Sequence, residues 1–108
     1  MEAQAQINQS DRKFSQQMVA VLMIFSADTF LMEAVRPHIN LETESIDWTS
    51  IFQLPLSAGH KAAAMWAWAC WTDEQPIQGN CFDGALNMTA NIKVAVLEAM
   101  CLRWGLRG

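Results

Sequence analysis

The run Ala62-Ala63-Ala64-Met65-Trp66-Ala67-Trp68-Ala69-Cys70-Trp71 is unbroken in its apolar character and holds three of the five tryptophans of the chain. It is too short to cross a bilayer, which takes about 20 apolar residues in a helix. Read as a helix at about 100° per residue, it places Trp68 and Trp71 about 60° apart and Trp66 well over 100° from both. A helix that is apolar all round has to be covered on two sides, by its own chain or by a partner. This constrains the architecture to packed helices and leaves activity open.

The rest of the composition points the same way. Apolar residues make up 52% of the 108 residues and charged residues 17%, against a usual charged share of about 25%. A chain of this length fits one domain, and little polar material is left to coat it as a small monomer. Self-association is the simplest physical remedy. The net charge of −4 argues against nucleic acid, which calls for clustered Lys and Arg; Arg103 and Arg107, near the C-terminus, are too few to make such a cluster. Cys70, Cys81 and Cys101 are odd in number and lack C-x-x-C spacing. Met1 to Ser10 is polar, without the basic-then-apolar pattern of a secretory signal. Three small apolar thiols of this kind suit a reducing cytoplasm.

Along the chain, residues 1–9 read as a disordered leader and residues 10–108 as one helical domain. Ser10 is the expected first N-cap, with Asp11 in the first turn. Phe14, Met18, Val21, Phe25, Met32 and Val35 recur at helical spacing. Helix therefore outranks strand over Met18–Phe25, although Val, Ile and Phe suit strands. Residues 11–36 form either one helix or two broken at Ser26, with Pro37 as the stop. Asp28 sits where the seam calls for an apolar residue. It either serves the first turn of a second helix or is a buried polar group in need of a partner.

Residues 37–46 read as a loop. Asp47 is placed to cap a short helix from Trp48 to Leu54, and Ser57 the Trp-rich helix from Ala58 to about Thr72. Gly59 costs about 1 kcal/mol if it lies inside that helix. Residues 73–88 read as irregular, with a possible helical turn near Phe82 to Leu86. Asn87 or Thr89 caps the last helix, and Gly105 ends it. That helix carries two apolar stripes: Val94, Leu97, Cys101 and Trp104 in steps of three and four, and Ile92, Val96 and Ala99 on the far side. Two stripes call for two packing partners.

No constellation points to catalysis. His38 and His60 are the only histidines, and with Cys70, Cys81, Asp73 and Glu74 they match no metal-ligand spacing. Cys81 lies in a polar stretch and is the most accessible thiol, but it lacks a base at motif spacing. The carboxylate pairs Glu42/Glu44 and Asp73/Glu74 read as solvated charge. There is no nucleophile elbow, phosphate loop or dinucleotide glycine pattern. A helix-turn-helix over residues 48–72 would offer Ala and Trp where a groove reader needs Arg, Lys, Asn or Gln.

The expectation is an all-α fold: a small bundle of three principal helices plus a short one, with the Trp-rich helix sandwiched. The expected role is a non-enzymatic interaction module that forms a homodimer, without cofactor, metal, nucleic acid or membrane. Val94, Leu97, Cys101, Trp104 and Trp71 are its interface candidates. The alternative is a binding protein for a small apolar ligand, with a pocket drawn from Trp66, Trp68, Met65 and Asp28. An enzyme would have to use Asp28, His60 or Cys81.

Overall fold

A computed structural model describes residues 14–72 and 86–106. The expected leader, the Ser10 cap, Cys81 and the turn near Phe82 lie outside the described residues. Among the described residues, five α-helices and a two-stranded ladder follow in the order α1 (Gln16–Phe25), α2 (Thr29–Val35), a 3-10 turn (Arg36–His38), β1 (Ile39–Asn40), β2 (Ser45–Ile46), α3 (Trp48–Phe52), α4 (Ala58–Thr72) and α5 (Ala90–Trp104). The fold is all-α, as the periodicity predicts.

Helix α1 starts later than Asp11. Phe14 and Ser15 are non-helical; Ser15 is extended, and its Oγ accepts the Met18 N–H at 3.1 Å. The helical repeat then buries Met18, Ala20, Val21, Ile24 and Phe25. The strand alternative fails because these residues fall on one helical face and not on alternate sides. The helix stops at Ser26, and Asp28 caps α2 by accepting the Leu31 N–H on Oδ1 at 2.9 Å. The break takes Asp28 out of the apolar seam, so residues 11–36 are not one helix.

The predicted loop 37–46 contains a short antiparallel ladder, with Ile39 opposite Ile46 and Asn40 opposite Ser45. Both isoleucines pack against the core. Asn40 Oδ1 accepts the N–H groups of Glu42 and Thr43, which holds the connecting turn. Glu44 completes it at φ 52°. Its carboxylate is not simply solvated: Oε1 accepts the Ser15 N–H at 3.0 Å and ties the turn to the start of α1.

Helix α3 is capped by Asp47 as expected, with Ser50 N–H on Oδ1 and Ser50 hydroxyl on Oδ2, and it ends at Phe52. Ser57 Oγ accepts the His60 N–H at the start of α4. Helix α4 buries Gly59, Ala62, Ala63, Ala64, Ala67 and Cys70. Its inner face is almost all alanine, so α1 packs closely on it while the tryptophans lie half-buried at the flanks. Gly59 has a steric reason: a Cβ there would collide with the Asn87 carbonyl oxygen. Helix α1 packs against α5 and, almost as extensively, against α4, which also packs on α5 and α3. The Trp-rich helix is thus covered on more than one side, and α1 is the element that joins the two long helices.

Candidate functional site: the outer face of the last helix

Helix α5 is fixed at both ends by its own sequence. Thr89 Oγ1 accepts the Ile92 N–H. At the other end Gly105 adopts φ 70°. The Leu106 N–H reaches Cys101 O at 2.9 Å, and the Gly105 N–H reaches Leu102 O at 3.3 Å. This paired closure needs a residue in the left-handed region, which glycine adopts without a Cβ penalty. Arg103 does more than complement the helix dipole. Its Nε donates to Cys70 O at 2.9 Å and its Nη1 to Gln16 Oε1 at 2.6 Å, so one side chain links α5 to the end of α4 and the start of α1.

With the helix held in this way, its two apolar stripes have different fates. Ile92, Val96 and Ala99 are in the core, together with Ala95. Val94, Leu97 and Trp104 remain 54%, 67% and 69% exposed, with Cys101 half-buried among them. Leu86 and Leu106, just beyond the two ends, are exposed as well. Lys93 and Glu98, both exposed, border the outer stripe on opposite flanks at 100° per residue. An exposed apolar stripe with a charged rim is a surface suited to docking another apolar face.

Trp71, the remaining interface candidate, belongs to a different contact. Its ring lies 6.4 Å from that of Trp48, which in turn lies 6.2 Å from Phe25 and 5.9 Å from Phe52. This aromatic cluster joins α4, α3 and α1.

Three of the pocket candidates lie on α4 and the fourth, Asp28, at the start of α2. Met65, Trp66 and Trp68 are half-buried on α4, with Trp66 packed on the core. A groove of about 500 Å³ lies along the hairpin, lined by residues such as His38, Asn40, Glu42 and Asp47. Asp28 faces a different partner, His60. His60 Nε2 is 3.3 Å from Asp28 Oδ2, and the imidazole stacks on Phe30 at 5.6 Å. The Leu31 N–H hydrogen bond holds the Asp28 carboxyl below its ordinary value; burial opposes this and His60 adds to it. The pair locks the first turn of α2 to the first turn of α4. The sequence marked Asp28 by its misplaced polarity and His60 as a candidate functional group, but no spacing paired the two.

No group of three or more His, Cys, Asp or Glu that could hold a metal ion occurs among the described residues. No described helix is long and apolar enough to cross a membrane. Set against known protein families, curated proteins and solved structures, the chain matches none of them.

Proposed function

We propose that this chain is a non-enzymatic interaction module that self-associates as a dimer through the outer face of α5, in a reducing compartment such as the cytoplasm. The observation that carries the reading is the exposure of Val94, Leu97 and Trp104 in one stripe, on a helix whose opposite stripe already fills the core. Leaving three large apolar side chains in water while a matching face exists on a second copy is unfavourable by about 25 cal/mol for each Å² that pairing would bury. A two-fold pairing brings the same patch from each copy together, so one self-complementary stripe suffices. The buried Cys70 thiol and the free Cys101 thiol suit reducing conditions.

Light scattering on a sizing column over a range of protein concentrations tests the reading. The expected result is a mass that rises from monomer to dimer with concentration, and a shift back to monomer for Trp104→Ala. A monomer at every concentration, or a dimer that Trp104→Ala leaves intact, overturns it.

A further inference from the structure

We infer that two copies pair in parallel along α5, with Lys93 of each copy facing Glu98 of the other and the two Cys101 side chains meeting across the two-fold axis. The inference rests on the self-association reading above and adds the orientation of the partner.

The outer stripe fixes a heptad register. Steps of three, four and three from Val94 to Leu97, Cys101 and Trp104 assign Val94 and Cys101 to the a positions and Leu97 and Trp104 to the d positions. Ala90, also exposed, extends the d row by one turn. A β-branched residue at a with leucine at d, as at Val94 and Leu97, favours two-stranded pairing. In this register Lys93 is a g residue and Glu98 is the e residue five positions on. In a parallel pair, g of one helix lies beside that following e of the other. Lys93 and Glu98 thus complement each other twice about the two-fold axis, and neither forms an ion pair among the described residues. Antiparallel pairing sets g beside g and e beside e, which leaves both charges without an opposite partner.

Geometry separates the two arrangements at Cys101 as well. In the parallel pair the a residues share a layer. With helix axes about 8–10 Å apart and Cα atoms about 2.3 Å from each axis, the two Cys101 Cα atoms come within about 4–6 Å. That is inside the range a disulfide spans. The antiparallel register that pairs all four stripe residues aligns Cys101 with Leu97 and Val94 with Trp104, which displaces the two cysteines by a further four residues, or about 6 Å along the axis. The resulting separation, about 8 Å, exceeds the reach of a disulfide.

Two measurements on the full chain test this. Mild oxidation with copper(II)-phenanthroline, which takes two electrons from two thiols as they release two protons, is followed by peptide mapping. The expected product is a Cys101–Cys101 cross-link that is absent in Cys101→Ser. In parallel, the dimer dissociation constant is measured for Lys93→Glu, for Glu98→Lys and for the double exchange. Each single reversal places like charges together twice and is expected to weaken the dimer about fivefold or more; the double exchange restores it. Circular dichroism with unchanged melting, at a dilution where only monomer is present, confirms that these surface variants fold. A dimer that gives neither the cross-link nor the rescue overturns parallel pairing and leaves self-association standing. Absence of any dimer overturns both.

Discussion

Helices α4 and α5 are the same length and both apolar on more than one side, yet the chain treats them differently. On α4 the inward residues are alanines, which allow α1 to approach, and α3 reaches its flank with the ring of Trp48. Its excess apolar surface is largely used within the chain. On α5 the inward stripe is used and the outward one is left in solvent. Apolar surplus in a sequence is therefore not one signal. Whether it builds the core or a docking face depends on how many neighbours the topology can bring to that helix.

The largest effect that would test this contrast is at the tight side of α4. In an exposed helix Gly→Ala is worth about 1 kcal/mol of added stability. At Gly59 the new Cβ meets the backbone at Asn87, and overpacking of this kind costs about 1–3 kcal/mol. Gly59→Ala is expected to lower stability in urea unfolding, and a stabilised variant would show that the chain at 87–88 does not press on α4.

A smaller effect is expected at the junction that orients α4 on α2. Asp28→Ala removes an N-cap and the partner of His60, with an expected loss of about 1 kcal/mol at neutral pH. The folded carboxyl titrates below its ordinary 3.8, so its contribution is present above that value and disappears as pH falls through the lower, folded pKa. The gap between wild type and variant should therefore narrow in unfolding experiments below pH 3.8. A gap that stays constant into acid would trace the stability to something other than the ionised carboxylate.

The smallest effect belongs to the open side of α5. Leu97→Gln, measured at a dilution where only monomer is present, is expected to change stability by no more than about 0.5 kcal/mol. A loss well beyond that would place Leu97 in the core and erase the contrast between the helices.

What could be read from the sequence follows the range of the interactions. The caps at Asp47, Ser57 and Thr89 and the glycine stop at Gly105 were legible because each is decided within one turn of helix. The division of α5 into two stripes was legible from spacing, but which stripe faces inward is set by α1. The start of α1 at Ser15 was not read from the sequence, and the residue that supports it there, Glu44, is 29 residues away. The hairpin was missed because its turn lacks glycine and puts Glu44 itself at positive φ, where a sequence reading looks for Gly or Asn. The Asp28–His60 pair bridges two helices and left no periodic trace.

The packing of α1 against both α4 and α5 has a consequence for synthesis. Met18, Val21, Ile24 and Phe25 are made well before α5, one of the two long helices that pack on α1, is completed at Trp104. At about 5–20 residues per second, the ribosome needs roughly 4–16 s to add the chain between Phe25 and Trp104. Until then α1 lacks one of its two long packing partners among the described residues. The last helix thus closes the fold as well as carrying its open face, and a nascent chain stalled before Ala90 would present the apolar face of α1 to chaperones.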